Sequence, residues 1–110
     1  MAYYEKSHLP RFAEVGKFRK ELMDQFFAYY QQATGEEGAL TRREKALIAL
    51  AIAHQGRCPY CIDAYTTQCL EQGASPEQMT EAVHVAAAMA AGITLVHAVQ
   101  MHDHLDELGA

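Results

Sequence analysis

Ala46–Ala53 is an unbroken run of alanine, leucine and isoleucine, and it limits the fold more than any other stretch. An apolar run this short is either a buried strand or part of a buried helix. Alanine fills half of its positions. It is the best helix former and a poor strand former, which decides for helix. Thr41-Arg42-Arg43-Glu44 stands just ahead. This is a capping-box pattern, in which the threonine hydroxyl caps and the glutamate reaches back to the threonine amide. A helix apolar on every side is expected to be buried on every side.

The rest of the punctuation is helical too. Tyr3–Val15 leads in, with Pro10 suited to the first turn of a short helix. From Lys17, the residues Phe18, Leu22, Met23, Phe26, Tyr29 and Tyr30 fall on one helical stripe that ends near Gly35. His54-Gln55-Gly56-Arg57 breaks the alanine-rich helix, and Pro59 opens the next, which stops at Gly73. Ser75-Pro76-Glu77-Gln78 combines an N-cap, a proline at the first helical position and a box partner. Ala82–Val99, broken at Gly92, reads as two buried helices rather than a membrane span. No strand–turn–strand pattern occurs. The expected fold is all-α, a single domain with a compact bundle of about five or six helices. It divides into N-terminal helices over 1–38, a core over 40–99 and a C-terminal helix end over 100–110.

A net charge of −5 argues against nucleic acid or an anionic membrane as the main partner. Met1–Pro10 carries Glu5, Lys6 and His8 and no apolar stretch of the signal-peptide kind. The expected location is cytoplasmic, where cysteines stay reduced unless they turn over. The chain has 3 cysteines, an odd number that argues against a purely structural disulfide set.

Cys58-Pro59-Tyr60-Cys61 is the sharpest chemical feature. Two cysteines three apart at a helix start share a face. The free amides and dipole there favour a thiolate on Cys58, and such pairs commonly have one lowered thiol pKa. The second cysteine is placed to resolve a sulfenic acid or mixed disulfide. A zinc site would need two further ligands, usually another pair; Cys69 stands alone, and no metal is expected. The tetrapeptide also occurs in glutaredoxins, but there it follows a strand, whereas here it follows Leu47–Ala53, read as helix.

The order of Leu40–Ala51, then Cys58-Pro59-Tyr60-Cys61-Ile62, Gly73-Ala74 and Glu81-Ala82 resembles the alkylhydroperoxidase D-like family, also called the carboxymuconolactone decarboxylase family. The resemblance covers roughly Leu40 to Val99. His8-Leu9-Pro10-Arg11-Phe12 and Ala82–Ala88 are similar, more narrowly, to a peroxidase-like subgroup associated with arsenosugar biosynthesis genes. The resemblance implies an all-helical protomer that packs into trimers or hexamers. It also implies a cysteine pair that reduces peroxides or takes electrons from another disulfide, with a relay of one glutamate and two histidines. The two cysteines carry over; the resemblance favours the second, Cys61, as the one that meets peroxide, whereas the helix-start argument favours Cys58, and the order stays open. The relay positions fall on Ala46, Tyr60 and Tyr65. Decarboxylase members do not rely on such a pair, so its presence disfavours lactone decarboxylation.

Several other side chains are candidates for the relay or for a pocket. Glu44 lies two residues from the glutamate position, about 200° away round a helix, and capping accounts for it. His54, four residues before Cys58, is a candidate base. His84 and His97 could line a pocket against the cysteines. Tyr60 and Tyr65 could offer hydroxyls to a reacting oxygen or sit at a subunit contact. Cys69 reads as a small core residue, and His102-Asp103-His104 as solvated. Two functions fit. One is a thiol-dependent oxidoreductase on Cys58 and Cys61, with an external thiol or disulfide reductant, a small-molecule substrate and no cofactor. The alternative is a non-redox module binding a thiophilic or apolar ligand, such as an arsenical, in a subunit pocket.

Overall fold

The computed structural model describes residues 4–110, so Tyr3 of the lead segment lies outside the described residues. A 3₁₀ segment, Lys6–Lys17, is followed by five α-helices: α1 Lys20–Gly35, α2 Arg42–Gln55, α3 Pro59–Glu71, α4 Pro76–Val96 and α5 Ala98–Glu107. No strand occurs among the described residues. The all-α expectation holds, and glutaredoxin topology is excluded.

Helix α2 starts as its sequence requires. The Glu44 amide donates to the Thr41 hydroxyl at 3.1 Å, and the Thr41 amide donates to the Glu44 carboxylate at 2.8 Å. These bonds hold the Glu44 carboxyl below its ordinary pKa, the Thr41 amide contributing most. Ser75 and Gln78 repeat the box at the start of α4. Helix α2 ends in a Schellman motif. The Arg57 amide donates to His54 O at 3.1 Å and the Cys58 amide to Ala53 O at 3.0 Å. The left-handed residue is Arg57, with φ 53°, rather than the adjacent Gly56. Helix α3 ends the same way around Gly73, with φ 84°.

The core is small. Ala46 and Leu50 of α2, Cys69 of α3 and Ala74 of the following turn are buried together, with Leu47, Tyr65 and Met79 against them. Cys69 is a core residue, as its sequence context suggested, and burial raises its thiol pKa. Leu50 is one of the largest fully buried side chains. Leu50→Ala is expected to lower unfolding free energy by about 3 kcal/mol, within the usual range for a buried leucine. Denaturant unfolding measures it; a loss below about 1 kcal/mol would show that the site collapses around the smaller residue.

Two expectations are corrected. Helix α2 is not buried all round: Ala46, Leu50 and Ala53 are buried, but Ile48 and Ile52 are 47% and 65% exposed. The Ala82–Val99 stretch is not two buried helices parted at Gly92. Helix α4 runs through Gly92 to Val96 and has no buried residue. The break falls at His97, between α4 and α5. A lone glycine lowers helix propensity by only about 1 kcal/mol, which a long alanine-rich helix absorbs. Pro76–Glu107 is long and apolar enough to cross a membrane, yet α4 packs along α2 and its apolar side chains form a stripe. Val85, Met89, Ile93 and Val96, all exposed, recur at three- and four-residue spacing. The protomer is correspondingly extended. Its radius of gyration is 18.8 Å, against about 13 Å for a compact chain near this length.

Candidate functional site

Cys58 occupies two structural positions at once. It follows the left-handed Arg57 that closes α2, and it is the N-cap of α3, with Pro59 at the first helical position. Its sulfur accepts the Cys61 amide at 3.2 Å, so one free amide of the helix start is spent on that sulfur. The two sulfurs are 2.7 Å apart and share a hydrogen bond. Both cysteines are free and half-buried. The Cys61 thiol is pushed up to about 11, first by burial and then by its hydrogen bond to Cys58 and the charge there. Cys61 therefore keeps its proton at neutral pH, while the Cys58 sulfur stands at the positive end of the α3 dipole.

The pair is reached through two cavities. One, of about 460 Å³, lies between α1, α2 and α3 and is lined by Tyr30, Ile48, Ile52, Tyr65 and both cysteines. The other, of about 500 Å³, lies under the 3₁₀ segment and is lined by His8, Arg11, Phe12, Tyr60 and both cysteines. Both linings are mainly apolar.

The sequence-derived candidates separate clearly. Tyr65, one helical turn past Cys61, is hydrogen-bonded hydroxyl to hydroxyl with Tyr30. Tyr30 is pushed to a higher pKa by burial, then by that bond and by the charges of Tyr65, Cys61 and Cys58. Tyr60 lines the second cavity and bonds His8. His54, though sequence-near, turns its Nδ1 to Leu50 O at 2.9 Å and lines neither cavity. His84 is exposed on α4. His97 is exposed and bonds Ile93 O through Nδ1 at 2.6 Å. Neither histidine reaches the cysteines' cavities. Glu44 is exposed in its capping box, and His102-Asp103-His104 is exposed. Among the described residues no group of metal-ligating side chains occurs.

Ala46 is 1% exposed inside the core. A glutamate in that packing would be a buried carboxylate lacking a charged partner, an expensive arrangement. The Tyr30–Tyr65 hydroxyl pair is the polar group beside the cysteines in its place. Tyr30 and His8 were missed as site residues. Tyr30 lay within an aromatic stripe whose simplest use is packing, and His8 is brought in by tertiary contact alone.

The comparisons bear on the family and the fold. An uncharacterised protein of the cox locus of Paracoccus denitrificans is 40% identical over 86 residues, covering 78% of each chain. An uncharacterised protein of Cupriavidus necator is 30% identical over 100 residues, covering 91% of this chain and 88% of that one. The crystal structure of an apo carboxymuconolactone decarboxylase family protein from Legionella pneumophila superposes with a TM-score of 0.64 at 32% identity. That match covers 96% of this chain and 97% of the other. Residues 20–103, from the start of α1 into α5, match the family model. The family model spans most of the chain and the all-helical neighbour covers nearly all of it, so the chain belongs to the carboxymuconolactone decarboxylase family, which includes the alkylhydroperoxidase D-like proteins.

Proposed function

We propose that the chain is a thiol-dependent, peroxidase-like oxidoreductase that cycles Cys58 and Cys61 between dithiol and disulfide. The observation that carries this reading is the pair itself. Two free sulfurs 2.7 Å apart at a helix start, open to two cavities, need little movement to form a bond. Cys58 is the attacking sulfur, because it caps the α3 N-terminus and accepts the Cys61 amide. Cys61, held protonated, is the resolving thiol. An external dithiol reopens the disulfide, and no cofactor is required. Tyr30 and Tyr65 supply hydroxyls beside the sulfurs where the family relay has carboxylate and imidazole. The location that suits this cycle is the cytoplasm.

The assembly that suits it is a homo-oligomer, a trimer or hexamer. Ile48 and Ile52 line the first cavity and are exposed in the single protomer. A neighbouring copy seated there would close that cavity. Contiguous exposed apolar surface of this kind marks a contact face.

The test is a redox titration of the pair across glutathione ratios, with thiol trapping and mass spectrometry. A reversible Cys58–Cys61 disulfide is expected, at a potential within the cytosolic range of roughly −200 to −320 mV. A pair that stays open under oxidising ratios would discard the redox reading in favour of a module that holds a thiophilic or apolar ligand.

A further inference from the structure

The 3₁₀ segment Lys6–Lys17 is the wall of the second cavity, and its docking is specific. Phe12 packs edge-to-face on Phe27 of α1, with ring centroids 5.2 Å apart. Tyr4 stacks edge-on against Tyr60 at 4.9 Å, and its hydroxyl donates to Asp63 at 2.5 Å. His8 Nδ1 is hydrogen-bonded to the Tyr60 hydroxyl at 3.2 Å. Tyr60 lies between the two cysteines in sequence, and it shares a cavity with both of them and with His8. An imidazole, a phenol and two thiols thus face one space, although His8 and Tyr60 are 52 residues apart.

We propose that His8 is the proton-handling residue of the cysteine pair and acts through the Tyr60 hydroxyl. The inference rests on the redox reading above. A thiolate that attacks a hydroperoxide ROOH must dispose of a poor leaving group. The Cys58 thiolate takes the terminal oxygen as its S–O bond forms and the O–O bond breaks, which leaves Cys58–SOH and RO⁻. RO⁻ takes the Tyr60 proton while Tyr60 takes the Nδ1 proton of the His8 imidazolium, giving ROH and neutral His8. The Cys61 thiol then displaces water from Cys58–SOH and closes the disulfide. A dithiol reduces the disulfide and becomes a disulfide itself. Oxygen, electrons and protons balance over the cycle, and His8 is recharged from solvent, to which it is exposed. Histidine suits the task because an imidazole both gives and takes a proton, as the commonest general acid–base side chain does.

The other charged or titratable groups on this cavity are few. Arg11 and Glu14 are paired with each other at 2.6 Å on the same segment, and α3 contributes Tyr60, Cys58 and Cys61. Asp63 is engaged by Tyr4 on the far side of Tyr60.

The experiment is a rapid-quench measurement of first disulfide formation with tert-butyl hydroperoxide, from pH 5.5 to 8.5. It compares wild type, His8→Gln, Tyr60→Phe, the double variant and Tyr4→Phe. Glutamine can bond the Tyr60 hydroxyl but carries no titrating proton. His8→Gln and Tyr60→Phe are each expected to slow the step by about tenfold or more, a modest share of general-acid catalysis. The double variant is expected to lose no more than either single one, because both act on one proton path. His8→Gln should also lose the wild-type pH dependence around neutrality. Tyr4→Phe, which removes a latch but no proton path, should keep the wild-type rate and profile. An unchanged rate and profile in His8→Gln overturns the proposal, as does an equal loss in Tyr4→Phe, which would make docking of the segment the whole effect. A wild-type pair that tert-butyl hydroperoxide does not oxidise overturns it differently, by removing the redox reading beneath it.

Discussion

Cys58→Ser is expected to abolish turnover, lowering the rate about a thousandfold or more, the scale on which enzymes respond to loss of a covalent nucleophile. Cys61→Ser should behave differently. Its Cys58 sulfur still sits at the α3 N-terminus, so one equivalent of peroxide is consumed and the sulfenic acid accumulates with no partner to close on. Dimedone trapping and mass spectrometry of each variant read this directly. Trapping on Cys61 in the Cys58 variant, with none on Cys58 in the Cys61 variant, would reverse the assignment. The thiol chemistry has a matching pH signature. Cys61 is pushed up to about 11, so in the Cys58-intact dithiol its alkylation rate should keep rising well above pH 9. A plateau near the ordinary cysteine value would contradict the burial and the hydrogen bond that hold its proton.

The second large effect lies on the exposed stripe of α4. Met89→Glu combined with Ile93→Glu is expected to dissociate the proposed homo-oligomer, raising its dissociation constant by about a thousandfold. Each apolar side chain contributes about 1.5–3 kcal/mol when buried, and every 1.4 kcal/mol is about tenfold. Burying the new carboxylates would cost more still. Light scattering across a concentration series gives the mass, and circular dichroism checks that the helices persist. A wild-type chain that is already a protomer at micromolar concentration would discard the oligomer. Val85, Met89, Ile93 and Val96, from 56% to 63% exposed, would then be left without an explanation.

The connection between these two results is structural. The alanine-rich helix α2 has to serve two faces. Ala46 and Leu50 fill the protomer core, while Ile48 and Ile52 point away from it. The same turn of helix that closes the core therefore leaves the wall of the first cavity open. In a chain this short, surface is large relative to volume, and α4 contributes no buried residue to the protomer.

Sequence by itself determined the local elements. Thr41 with Glu44 and Ser75 with Gln78 form both bonds of their capping boxes, because a box closes within one helical turn and needs no tertiary partner. Pro59 at a helix start and Cys58 at its N-cap were legible for the same reason. So was the distinction from glutaredoxin, which turned on alanine's helix preference. Tertiary structure alone decided the surroundings of the pair. Apolar periodicity states that a face is covered without stating by what, so burial of α2 and α4 within the protomer did not follow from it. His54 is four residues from Cys58 yet turns to its own helix carbonyl, whereas His8 reaches Tyr60 from 52 residues away. Sequence proximity fixes backbone neighbours; the direction of a side chain, and the chain segment that lies over it, are set by packing of the whole molecule.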